Sequence, residues 1–126
     1  MTLAEANAIF DSRRENAVSV QTKNGWLSEL DAKINSELLN RYGLEKEFAG
    51  YTALSSGDTE LLAPPEYGEI YFLYLVMKDD FLNAEITRYN NSAYAFNSLY
   101  AEMADFINRN HRCVGASFIK AGDLYA

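Results

Sequence analysis

Apolar side chains recur along this chain at the three- and four-residue spacing of helices, with turn-forming residues between the periodic runs. Leu3, Ala6 and Phe10, followed by Arg13 and Arg14, predict a first helix near residues 2–15, with Thr2 as its cap and Glu5 completing a capping box. Residues 16–21 mix β-branched and polar side chains without a period and predict a connector, after which Thr22 is placed to cap the next helix. Trp26, Leu27, Leu30, Ile34, Leu38 and Leu39 make one face of a second helix over 23–41, with Ser28, Glu29, Asp31, Lys33, Asn35 and Glu37 between them and Gly43 as its stop.

Residues 43–64 carry Gly43, Gly50, Ser55, Ser56, Gly57 and Pro64 with no sustained period, which predicts a long loop, either functional or packed by its own side chains. Pro65 opens the longest periodic stretch, with Glu66 and Glu69 suited to a positive helix end. Tyr67, Ile70, Tyr71, Tyr74, Met77, Phe81, Leu82, Ile86 and Tyr89 predict a third helix reaching Asn90. Asn90, Asn91 and Ser92 read as the turn, and Tyr94, Phe96, Leu99, Tyr100, Met103, Phe106 and Ile107 predict a fourth helix over 92–111. Residues 112–126 are expected to form an irregular tail, a strand or an arm. The expected fold is therefore all-α, with 1–126 a single helical domain whose body spans 2–111. A long hairpin of the third and fourth helices carries the two shorter N-terminal helices, packed through Leu27, Leu30, Ile34 and Leu38.

Composition fits that expectation and narrows the function. The chain has 126 residues, 48% of them apolar, enough for one globular core and too few for two ordinary domains. A formal charge of -7 counts against wrapping nucleic acid on an open surface, because such binding rests on Lys and Arg displacing phosphate counterions. Met1 to Asn7 lack the basic start and apolar run of a signal peptide, and no apolar stretch approaches membrane-spanning length, so a soluble protein made in a cytoplasm is expected.

Candidate chemistry is sparse. One cysteine, Cys113, and one histidine, His111, leave a Cys/His zinc site without its remaining ligands. The two would share a side in an extended tail, but nothing in view lowers the thiol pKa, so Cys113 reads as a small, inert thiol. Asp79, Asp80 and Glu85 cluster at the predicted third helix, yet a di-metal bundle needs a Glu-x-x-His pair on two helices and this chain has one His. Glu85 is expected to pair with Arg88 or a tyrosine hydroxyl, and Asp105 with Arg109. No Walker-type or Gly-x-Gly-x-x-Gly phosphate loop occurs. Catalytic, cofactor and metal sites are all expected to be absent. Tyrosines are the informative excess, because Tyr67, Tyr71, Tyr74, Tyr89, Tyr94 and Tyr100 crowd onto the predicted hairpin. Either they make an aromatic core with hydroxyls reaching water, or some form an oligomer interface, for which Tyr71, Tyr74 and Tyr89 are the candidates.

Three strings carry a resemblance. They are Trp26-Leu27-Ser28-Glu29-Leu30-Asp31-x-x-Ile34; Glu60-Leu61-Leu62-Ala63-Pro64-Pro65-x-Tyr67-x-x-x-Tyr71; and Arg88-Tyr89-Asn90-Asn91, then Phe96-Asn97-x-x-Tyr100 and Asn108-Arg109-x-His111. Together they resemble a family of small phage and prophage proteins of Gram-positive bacteria, similar to helical head-tail connector (adaptor) proteins, over most of residues 2–111. The resemblance implies a structural virion protein, a homo-oligomeric ring between portal and tail. Its partners would be the portal protein and a tail-completion protein, with DNA passing through the lumen unbound. It also implies residence in the virion, and in the host cytoplasm before assembly, with no reaction, metal or nucleotide. The chain departs from the family pattern after His111. Within the shared strings, Trp26 is expected to anchor the second helix, Asn90 and Asn91 to make the interhelical turn, and Arg109 and His111 to sit at the negative end of the fourth helix. The alternatives are a small prophage-encoded regulatory or adaptor protein binding a host or phage protein, and an enzyme with a tyrosine-lined pocket.

Overall fold

Thr2 and Glu5 do form a reciprocal cap: the Thr2 backbone N–H donates to Glu5 Oε1 at 2.8 Å and the Glu5 N–H to Thr2 Oγ1 at 3.2 Å. Helix α1 (Leu3–Arg13) starts there and buries Leu3, Ala6 and Phe10. Arg14 is extended and ends it. The computed structural model describes residues 1–119, and side chains as far as His111.

Helix α2 (Val20–Ile34) begins earlier than the periodicity suggests. Ser19 is its cap, accepting from the Thr22 N–H at 3.2 Å, so Thr22 is the residue being capped and not the cap. The helix runs on through a π-helical turn (Asn35–Leu39) and a tighter 3-10 turn (Asn40–Tyr42) to Gly43, whose φ of 69° is the left-handed conformation that glycine adopts without strain. Leu27, Leu30, Ile34 and Leu38 are buried as expected, and so is Asp31.

Residues 43–64 form a strap tied down along its length. Asn35 pairs with the backbone of Lys46 in both directions at 2.8 Å, Asn24 Nδ2 donates to the Thr52 carbonyl at 2.8 Å, and Ser28 Oγ bonds the backbone of Tyr51. At its far end Thr2 and Glu60 make an isolated antiparallel bridge, with the Leu61 N–H donating to the Met1 carbonyl at 2.9 Å. A 3-10 turn at Pro65–Tyr67 leads into α3 (Glu69–Leu82).

Helix α4 (Ile86–Ile119) follows after three residues. The α3–α4 turn therefore lies at 83–85, and Asn90 and Asn91 are exposed residues in the first two turns of α4. The turn is a complete Schellman motif: the Ala84 N–H donates to the Phe81 carbonyl at 3.1 Å and the Glu85 N–H to the Asp80 carbonyl at 3.0 Å, with Ala84 at φ 57°. Helix α4 also continues past His111. Its length is about 51 Å at the usual rise per residue. Arg109 and His111 are thus interior to the helix, where no free terminal carbonyls await them. Residues 112–119 are helical rather than a strand or arm; 120–126 lie outside the described residues, as do the side chain of Cys113 and any contact it makes with His111.

The result is an all-α domain. One cluster of buried apolar side chains draws on all four helices, with Phe10, Leu27, Leu30, Ile34, Ile70, Tyr71, Leu75, Phe96, Met103 and Ile107 at its centre, and Trp26 packs half-buried against it. Glu29 reaches Lys78 and Tyr74, and Tyr42 reaches Asn108, so α2 runs against α3 and alongside α4. The 14–19 connector and the 83–85 turn therefore share one end of the molecule.

Candidate functional site

Three apolar side chains at that shared end face water. Phe81 is 69% exposed, Leu82 63% and Ile86 73%, and about two turns of helix further Tyr94 is 75% exposed. These are the positions where the apolar run of α3 leaves the core stripe and turns the corner. Phe81, Ala84, Glu85, Ile86 and Tyr89, with Asp80 beneath, enclose an apolar groove of about 340 Å³. The Phe81 and Tyr89 rings pack tilted to one another, with 5.5 Å between their centroids.

Beneath the groove, charge fixes the tip in place. Asp79 and Asp80 close α3 and are buried, which is costly for neighbouring carboxylates unless they are paired. Arg14, just past the end of α1, supplies the cation: its Nε lies 3.1 Å from Asp79 Oδ2 and its Nη2 bonds Asp80 Oδ1. The Ser92 hydroxyl of α4 meets Asp80 Oδ2 and lies 2.8 Å from the Arg88 carbonyl. Burial pushes the Asp80 carboxyl up, but hydrogen bonds from Arg14 and Ser92 and the charges of Arg14 and Arg88 outweigh it and hold it below the usual carboxylate range. Three elements, α1, α3 and α4, are thereby locked together directly under the exposed residues.

A second polar cluster lies in the middle of the molecule. Asp31, 0% exposed, accepts from Tyr71 Oη at 2.6 Å on one oxygen and from Tyr51 Oη at 2.5 Å and the Leu62 N–H at 3.1 Å on the other. The Tyr71 hydroxyl in turn accepts from the Ala63 N–H at 2.7 Å. Among the described residues no cation pairs with Asp31, and burial raises its pKa against the lowering effect of its three donors. Burial and the neighbouring carboxylate push Tyr51 and Tyr71 up. Asp31 thus binds α2, the middle and the far end of the strap, and α3 into one frame.

Of the three tyrosines expected at an interface, only Tyr89 lies at the exposed tip. Tyr71 is a core residue with no exposed surface, because its hydroxyl is spent on Asp31. Tyr74 is half-buried, donates to Glu29 Oε1 at 3.0 Å and packs on Phe96. The expected Glu85–Arg88 and Asp105–Arg109 pairs do not form; each of these four residues is exposed and outside the ion pairs among the described residues. His111 packs against Tyr42 at 5.4 Å. Among the described residues no group of three His, Cys, Asp or Glu side chains is placed to hold a metal ion, and no helix is long and apolar enough to cross a membrane.

Phe81, Leu82 and Ile86 were hidden in the sequence because they fit the stripe of an uninterrupted third helix. Adjacent apolar residues do not mark the break, since Ile70 and Tyr71 of the same helix are both buried; periodicity alone does not separate the exposed residues from the core stripe. Compared with known proteins, the chain matches no family model, no curated protein and no solved structure.

Proposed function

We propose that this chain is a structural subunit of a phage head-tail connector, assembling as an oligomeric ring between portal and tail and performing no chemistry of its own. The observation that carries the proposal is the α3–α4 tip. It displays Phe81, Leu82 and Ile86 to water while the Arg14–Asp79–Asp80–Ser92 cluster holds their backbone still. Apolar surface on a rigid support costs little ordering entropy on docking, which is what a surface kept for a partner requires. The resemblance of the Trp26–Ile34, Glu60–Tyr71 and Arg88–His111 strings to connector proteins supplies the kind of assembly. A ring closes through two unlike patches on each subunit. The tip serves as one, and the strap, with Leu44 and Leu54 exposed, serves as the other. The net charge of -7 suits a lumen through which DNA slides without adhering.

The test is co-expression with the portal protein of the same gene cluster. The wild-type chain is expected to co-purify with the portal as a ring, and Phe81→Ser with Ile86→Ser to abolish this while leaving the helical circular dichroism unchanged, since both side chains are exposed. A folded wild-type chain that stays apart from the portal overturns the proposal.

A further inference from the structure

The tip carries more than apolar surface. Glu85 lines the groove and Arg88 lies one turn on, both exposed, of opposite charge, and not paired with each other. The acidic pair beneath them is already met by Arg14. Among the described residues Arg88 makes no ion pair, although its charge is felt at Asp80; exposed charges of opposite sign beside an apolar groove can pair with their counterparts on a second copy related by a two-fold axis, Glu85 of each against Arg88 of the other.

We infer that, before any larger assembly forms, two copies of this chain close tip on tip about a two-fold axis. The exposed charges beside the groove favour a second copy docking by the same face.

A contact of some half-dozen side chains a side falls short of the roughly 800 Å² per partner of a stable complex, so the dimer is weak and concentration-dependent. That suits a reversible cover. Paired tips keep the apolar surface from unspecific association until a neighbouring subunit or a portal competes for it. The inference deepens the reading of the tip as an interface but does not require the ring.

Sedimentation equilibrium over a wide concentration range tests it. Glu85→Arg alone and Arg88→Glu alone each place like charges across the two-fold contact and are expected to raise the dimer dissociation constant about tenfold or more. The double variant E85R/R88E re-forms the same pairs reversed and is expected to restore dimerisation. A double variant as weak as the single ones, or a wild-type chain that is monomeric up to about 1 mM, overturns the inference. Because Arg88→Glu adds an acid near Asp80, a second measurement is independent of it: Ile86→Cys in a Cys113→Ser background is expected to oxidise to a disulfide-linked dimer through residue 86. Failure to cross-link also overturns tip-on-tip pairing. Neither experiment involves the portal, so the connector reading stands or falls separately.

Discussion

Asp31 shows how one residue sets the frame of this molecule. A buried carboxylate without a cation is a standing cost, offset here by three donors, two from the strap and one from α3. Its pKa is raised, first by burial, so the folded chain holds the Asp31 proton more tightly than the unfolded chain does. In the interval between the ordinary aspartate value of about 3.9 and the raised folded value, folding takes up a proton, and stability falls as pH rises. Asp31→Asn does not titrate. The stability of wild type relative to Asp31→Asn is therefore expected to decline as pH rises through that interval and then to level off, measured by urea unfolding at successive pH values. A flat or rising difference contradicts the assignment. Asp11, held down first by its hydrogen bond from Lys23, and Asp80 have the opposite slope, contributing stability that is lost as pH falls through their lowered values, and they cancel in this comparison. Ala84 is the second informative residue. It takes the left-handed conformation in which an L side chain costs roughly 1 kcal/mol. Ala84→Gly is expected to raise stability by up to about 1 kcal/mol without moving the tip, because glycine meets that φ without strain; destabilisation would mean that the turn is not held as described.

Ala84 also explains why the element boundaries were only partly legible. The capping box of α1 and the Leu27–Leu30–Ile34–Leu38 face of α2 follow from local rules that nothing overrides, and both are where the pattern puts them. The α3–α4 turn breaks those rules, since a Schellman motif normally advertises itself by glycine and here the position is alanine. Asn90 and Asn91, strong turn formers, sit helical instead, because the chain has already reversed at 83–85 and tertiary packing of α4 on α3 decides their conformation. Asp31 was hidden among polar neighbours, although it falls four residues after Leu27, on the apolar face. Arg14 and Asp80, 66 residues apart, could not be joined from sequence at all. Their pairing is what makes the tip an element. Arg14→Met leaves two buried carboxylates without their cation and is expected to cost about 3 kcal/mol in denaturant unfolding, far more than loss of a surface ion pair. A cost below about 1 kcal/mol would mean that the cluster does not lock α1 to the hairpin.

For the whole molecule, the acidic balance, the tyrosine excess and the apolar tip become parts of one arrangement. Two of the three tyrosines expected at an interface hold the domain together, Tyr71 on Asp31 and Tyr74 on Glu29, so the aromatic surplus mainly builds a frame. What the frame presents is a small, firmly mounted apolar end, in a chain of net charge -7. Under the connector proposal, this end meets neighbouring subunits and the rest of the surface faces DNA and solvent. Native mass spectrometry of the chain co-expressed with the portal of its own gene cluster tests that claim most directly. A closed ring of many copies on the portal, lost in the Phe81→Ser/Ile86→Ser variant, is the predicted result. A folded wild-type chain that never exceeds a dimer in the presence of that portal would contradict it.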